Sequence, residues 1–257
     1  MLRTALFATV LCASSCQLTP AFNVMPRFTH MSLQGSFGVA SGGATGSSST
    51  NDLGLVEENL AAFPQAEVSW GGAHLTVNAL DTFYEGQGTV QADMDLDGVT
   101  LASGENVDSA FDMQMASAVM TWDMIPTDLA ELGLGMGVTY TDVFTNVTSQ
   151  SNPTQFIQTE EAAPIPVLAL RAGTSLGPVL LSGAVSGLDL GFDDNEFSLT
   201  DFDLNASLPF FKGIRLRGYM TLGYRELTTR AQYSDSVSDV DLDFELGGPY
   251  FGIVLTL

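Results

Sequence analysis

The chain has 257 residues, with 30 Asp and Glu against 8 Lys and Arg, a formal net charge of −22 and a pI near 4.1. So acidic a chain excludes nucleic acid and anionic lipid headgroups as partners recognised through charge. A 45% hydrophobic content excludes disorder, and no apolar run of about 18 residues follows the N-terminus, which excludes helical membrane spans; yet only 15% of residues are charged, an odd composition for a domain surrounded by water.

Met1-Leu2-Arg3 supplies one positive charge, Thr4 to Ala13 is apolar, and small residues follow at Ala13-Ser14-Ser15. This is the layout of a secretory signal peptide over 1–15. Ala13-Ser14-Ser15-Cys16 resembles the bacterial lipobox, whose Cys becomes a lipidated N-terminus, although that motif carries Leu where this chain has Ala13. Two outcomes stand open: a lipid anchor at Cys16, or ordinary cleavage near Ala21 that discards it. Cys12 leaves with the signal, so the mature chain forms no internal disulfide. Residues 16–26 are expected to be a short segment ahead of the first strand.

Period-2 alternation then dominates. It predicts ten strands over 27–40, 62–70, 74–86, 107–123, 131–146, 163–174, 178–190, 198–209, 213–230 and 238–257, with eight as the alternative because the first two are weakly patterned. Gly71-Gly72-Ala73, Ser175-Leu176-Gly177 and Phe210-Phe211-Lys212 are short connections, as is 124–130. The intervening ones at 41–61, 87–106 and 147–162 are long and polar. Short turns at one end and long loops at the other is the layout of an outer-membrane barrel, with the turns periplasmic. Trp70 and Trp122 each end a strand just before a short turn, where a periplasmic aromatic girdle would sit.

Three segments carry the alternation most clearly. In Leu132-Gly133-Leu134-Gly135-Met136-Gly137-Val138-Thr139-Tyr140 the second face is glycine, which suits a crowded interior. Residues 201–208 and 239–246 put acids on one face and apolar side chains on the other. The terminal Pro249-Tyr250-Phe251-Gly252-Ile253-Val254-Leu255-Thr256-Leu257 has its apolar face on odd numbers, whereas 239–246 has it on even numbers. One outward surface cannot hold both phases. A bulge at Gly247-Gly248-Pro249 would reset them, which predicts Val240, Leu242, Phe244, Phe251, Ile253, Leu255 and Leu257 all facing outward.

Five of the eight basic residues are Lys212, Arg215, Arg217, Arg225 and Arg230. Neighbouring strands offer Asp201, Asp203 and Asn205 on one side and Asp239, Asp241, Asp243 and Glu245 on the other. Facing lipid, a charge costs up to about 2–4 kcal/mol, so these groups are expected to line a lumen. There Arg215, Arg217 and Arg225 would pair with the flanking acids in an ionic network that stiffens the barrel; the functional alternative is an ion-selecting constriction. Asp93-Met94-Asp95-Leu96-Asp97-Gly98 spaces its acids like a calcium loop but lacks the distant Glu in a helix–loop–helix context, so no metal site and no cofactor is assigned. His30 with Ser32 and His74 with Thr76 are the available histidine–hydroxyl pairs.

From about residue 25 onward the chain resembles the small bacterial outer-membrane β-barrels, the broad group that includes OmpA-like and OmpW-like proteins. The resemblance rests on the signal peptide, the turn and loop rhythm, residues 132–140 and the terminal Gly-Pro-Tyr-Phe-Gly-Ile-Val-Leu strand. It implies an antiparallel up-and-down barrel over 27–257 in the bacterial outer membrane and carries over no catalytic residue; the role expected of such a chain is structural or porin-like passive permeation of small solutes. Its implied partners are membrane lipid and the barrel assembly machinery, which reads the C-terminal strand. The alternatives are a soluble or lipid-anchored β-sandwich that binds a ligand through acidic loops, and a barrel enzyme with a hydrolytic site at its rim built on His30 or His74.

Overall fold

The computed structural model describes residues 20–41, 46–55, 59–96, 98–125, 130–192, 195–234 and 238–257. The signal segment, Cys16 and Asp97 lie outside them, as does the side chain of Asp239. The strands in order are β1 (Ala21–Met25), β2 (Arg27–Ser41), β3 (Gly46–Ser49), β4 (Asn59–Ala62), β5 (Gln65–Trp70), β6 (Ala73–Thr89), β7 (Met94–Leu96), β8 (Val99–Leu101), β9 (Asn106–Asp123), β10 (Ala130–Ser149), β11 (Phe156–Leu176), β12 (Val179–Phe192), β13 (Asn195–Lys212), β14 (Arg217–Ser234) and β15 (Ser238–Thr256).

Pro26 divides β1 from β2 within one stave, and Phe63-Pro64 divides β4 from β5 within the next, as proline does wherever its missing N–H interrupts a ladder. The amide of Phe63 bridges the break by donating to the Arg27 carbonyl. β1 pairs with both β5 and β15, and β2 pairs with β15 and β4. This closes a ten-strand antiparallel barrel. Closure decides against eight strands and against a sandwich. The barrel wall begins at Ala21, so part of the expected leading segment belongs to it. Several staves also run past their predicted ends: β10 reaches Ser149 and β11 begins at Phe156, so the hairpin continues through residues read from sequence as loop.

The wall has two zones of opposite polarity. On β14, Met220, Leu222 and Tyr224 face outward, followed on the same face by Glu226, Thr228 and Arg230. Inward, Tyr219, Thr221 and Arg225 give way to Leu227. Leu222 is 69% exposed and Leu227 1%. β13 turns over between Phe202 and Thr200, and β10 between Tyr140 and Asp142. Toward the short turns the outside is apolar and the inside polar; toward the long loops the reverse holds. From Phe202 to Phe210 the apolar face of β13 runs about 26 Å along the strand at about 3.3 Å per residue. At a tilt of about 40° that is about 20 Å of height, close to the roughly 25 Å apolar band of membrane barrels.

This reversal corrects the expectation for the last strand. β14 and β15 stay in continuous register from Arg217↔Thr256 to Ser234↔Asp239, with no bulge at Gly247-Gly248-Pro249. Phe251, Ile253 and Leu255 face outward as expected, but Val240, Leu242 and Phe244 face inward, where Phe244 is only 4% exposed. The alternation keeps its phase. What changes is the side of the wall that is apolar, which is the outer one toward the short turns and the inner one toward the long loops.

The upper interior is accordingly a packed core. Met31, Leu33, Phe37, Phe111, Leu227 and Phe244 meet there, with Phe111 and Phe244 ring centroids 4.7 Å apart. Two segments cap it. Residues 50–55 insert Leu53 and Leu55, and the stretch around the β7–β8 hairpin inserts Val90, Met94 and Leu101. Gly54 and Gly86 let the first cap lie flat on the wall, since a Cβ on Gly86 would collide with the Gly54 carbonyl. Glu105 ties the second cap to β10 by accepting hydrogen bonds from the Ser149 and Ser151 hydroxyls and the Ala102 amide. The Ser149 bond holds the Glu105 carboxyl below its ordinary pKa of 4.5. A depressed carboxyl stabilises the fold above its unfolded-state value and loses that contribution as pH falls through the folded one. Protection of the amides in 99–105, corrected for the intrinsic pH dependence of exchange, is therefore expected to fall as pH drops below the ordinary carboxylate range, and Glu105→Gln should remove that loss. An unchanged profile in the variant would refute the clamp.

Candidate functional site

The lower lumen is a polar cavity of about 440 Å³ that opens toward the short turns. Arginines set its two polar layers. In the deeper one, Arg27 on β2 donates from Nη1 to Asp203 Oδ2 at 2.6 Å and to the Tyr250 hydroxyl at 3.1 Å, and Tyr250 donates to Asp203 Oδ1 at 2.6 Å. Arg225 makes a two-pronged bond to Asp201, Nε to Oδ1 and Nη2 to Oδ2, both at 2.8 Å. Phe63 enters at the β4–β5 break between the two guanidiniums, whose carbons lie 4.2 Å and 3.6 Å from its ring centroid. This layer separates the cavity from the apolar core. Cation–π stacking partly replaces the hydration that both cations lose.

The second layer lies nearer the short turns and joins six staves. Arg171 Nη2 on β11 is 3.0 Å from Asp123 Oδ1, 3.0 Å from Glu131 Oε2 and 2.9 Å from His74 Nε2. His74 Nδ1 lies 3.3 Å from Glu67 Oε1, and its Nε2 lies 3.0 Å from Asp123 Oδ2. With Arg171 donating to Nε2, the imidazole is neutral and gives its Nδ1 proton to Glu67. Once protonated, it gives one proton to each carboxylate and loses the guanidinium contact. Asn23 also donates to Glu67, at 3.4 Å. Both ring nitrogens of His74 are engaged by charged groups, and among the described residues no hydroxyl is hydrogen-bonded to it. The cluster ties its strands together across the lumen.

The predicted network is thus divided. Arg225, Asp201 and Asp203 face the lumen and are bonded there. Arg215 sits in the turn before β14 and Arg217 at its exposed first residue, and neither forms an ion pair among the described residues. Asp241, Asp243 and Glu245 lie on the outer face, where Asp243 accepts from Arg230 at 2.8 Å. These three departures have the same cause as the misplaced apolar residues, since the upper half of β15 faces water. Asp239 pairs with Ser234 through the backbone. Trp70 and Trp122 face outward at the short-turn end, opposite Ala73 on either side. His30 lies on the outer face. Asp93 and Asp95 accept hydrogen bonds from the Ser103 amide and the Thr100 hydroxyl. Sequence reasoning did not find Arg27, Glu67, Asp123, Glu131 or Arg171 as site residues, and it met His74 only as a catalytic candidate. Each is the one inward ionisable group in the short-turn half of its strand, and such single charges in a short apolar-out segment are the signal that was there to read.

No family model matches the chain, and a search of curated proteins gives no match. Solved structures do. The outer membrane protease OmpT from Escherichia coli overlays with a TM-score of 0.59 at 10% identity, covering 95% of this chain and 100% of that one. Ail of Yersinia pestis covers 93% of this chain and 98% of its own, at 6% identity and a TM-score of 0.32. The toluene transporter TodX of P. putida covers 96% and 91%, at 8% identity and 0.32. The last two overlays are too loose to carry an argument. The first, at its low identity, establishes the fold alone: the chain folds as a closed ten-strand antiparallel barrel of the kind found in bacterial outer-membrane proteins.

Proposed function

We propose that this protein is an integral barrel of the bacterial outer membrane with a structural role, closed to through-permeation. The observation that carries this is the filling of the upper lumen by apolar side chains above the Arg27–Phe63–Arg225 layer. A solute crossing through the centre would have to displace both. The membrane assignment is supported by the outward apolar belt, by the girdle position of Trp70 and Trp122, and by ionised groups turned inward at belt height. In this reading the signal at 1–15 directs export, Cys16 is either the lipid anchor or lost with the signal, and the outward Phe251, Ile253, Leu255 and Leu257 of the terminal strand address the chain to the barrel assembly machinery. The protease activity of OmpT is not carried over.

In planar bilayers the folded protein is expected to give no sustained single-channel steps. Stable conductance that scales with salt concentration would overturn the closed-barrel reading and favour passive permeation of small solutes.

A further inference from the structure

One seam of the barrel wall is left unzipped. β11 and β12 pair from Leu176↔Val179 up to Leu168↔Gly187, and there the ladder stops. Above it, residues 156–167 of β11 pair only with β10, and residues 188–192 of β12 pair only with β13. The β12–β13 ladder ends at Phe192↔Asn195, while β11 runs on beside β10 to Thr148↔Phe156. The result is a notch. Glu161 and Ala163 belong to the inward face by register, opposite Val143 and Thr141, yet both are exposed there.

The sequence encodes this opening. Pro164 and Pro166 occupy alternate positions of β11, so their missing N–H groups would point to the same neighbour. The β10–β11 ladder runs unbroken through both, which leaves the β12 side as the one deprived of donors. The height of the notch matters as well. Across β10, Pro164 and Pro166 face Tyr140 and Val138, the upper members of the apolar belt, and Leu168 below them is 62% exposed on the lipid side. At that height an unpaired N–H would cost several kcal/mol in hydrocarbon. Two prolines remove that cost for the donors of the β11 edge. They also discourage a docking strand, which would need those donors.

We propose that this notch is a lateral portal that admits a lipid acyl chain of the adjoining leaflet into the barrel wall. The notch is bordered by Pro164, Pro166, Leu168 and Val185, which suit hydrocarbon. Glu160 and Glu161 stand higher, where a headgroup would lie, and Asp189, which the continued register would set opposite Pro166, stands at the lip. Directly beneath its last rung, Ala169 and Ser186 form the upper edge of the lumen cavity, so a chain entering here approaches the cavity from the side while the core closes the top. The proposal rests on the membrane reading above.

The test separates the two. In a Trp70→Phe/Trp122→Phe background, a single tryptophan is placed at Ala163 or, as the lipid-facing reference, at Leu168. Each protein is folded into phosphatidylcholine vesicles whose chains are brominated near the headgroup, with heat-modifiable migration as the check on folding. Leu168→Trp is expected to be quenched strongly, and if it is not, the membrane reading fails. Given that quenching, Ala163→Trp is expected to lose at least half as much fluorescence as the reference. Adding Pro164→Val/Pro166→Val, which restores the donors and lets β12 zip further, should cut that loss at least twofold. Quenching of Ala163→Trp by aqueous iodide instead of bromolipid would mean a water-filled cleft, and protection from both would mean a wall closed by protein. Either outcome overturns the portal while leaving the membrane assignment intact.

Discussion

Phe111→Ala is expected to lower the unfolding free energy by about 3–5 kcal/mol, the range for emptying a fully buried aromatic site. Phe111 is completely enclosed and packs against both Phe244 and Tyr84, whose ring centroids are 4.7 Å and 6.2 Å away. The surrounding staves are fixed by their ladders and cannot collapse into the space. Phe251→Ala is the informative control because it removes the same atoms from the outward apolar belt, where the residue is 56% exposed. In the proposed membrane setting acyl chains would flow into the gap it leaves, so only transfer energy would be lost, about 1.5–3 kcal/mol. Denaturant unfolding of vesicle-inserted protein measures both. Equal losses, or a larger loss at Phe251, would show that the upper interior is not a packed core.

That contrast also marks how far the sequence could be read. Alternation located the ten staves, and the turn and loop rhythm fixed which ends lie together, because a strand's period and its punctuation are local properties. Alternation says which face is apolar without saying which face is inside. Asp201 and Asp203 at belt height point to the lumen, while Asp241, Asp243 and Glu245, in the same local pattern, point to water on the outside. The change of phase at Gly247-Gly248-Pro249 was legible, but its meaning depends on where the membrane ends. β14 makes the same reversal between Tyr224 and Glu226 with no glycine or proline at the step. The polar layers were hidden for a different reason. Arg27 meets Asp203 across 176 residues of sequence and Arg171 meets His74 across 97, and only closure of the ring brings them together. The notch could have been inferred, since alternate prolines in a strand forecast an edge.

The charged layer gives the second large effect. Removing either partner of the Arg225–Asp201 pair alone is expected to cost about 3–5 kcal/mol, because the survivor is left buried without its counter-charge. Arg225 is wholly enclosed, its two-pronged bond has both arms at 2.8 Å, and its Nη1 has no hydrogen-bond partner among the described residues. Asp201 therefore supplies both of its hydrogen bonds, and Phe63 at 3.6 Å supplies the stacking surface. Arg225→Met with Asp201→Leu removes both charges at once and refills part of the volume with apolar atoms. The double variant should be more stable than either single variant, since desolvation of two ions is relieved together. Arg215→Met/Arg217→Met should change the melting temperature little, because those two guanidiniums are exposed and form no ion pair among the described residues. The measurement is a double-mutant cycle on thermal unfolding in detergent. If the Arg225 and Asp201 losses simply add, the pair is not an interacting unit. If Arg215 and Arg217 prove costly instead, the basic residues that stiffen this barrel are those of the turn and not those of the lumen.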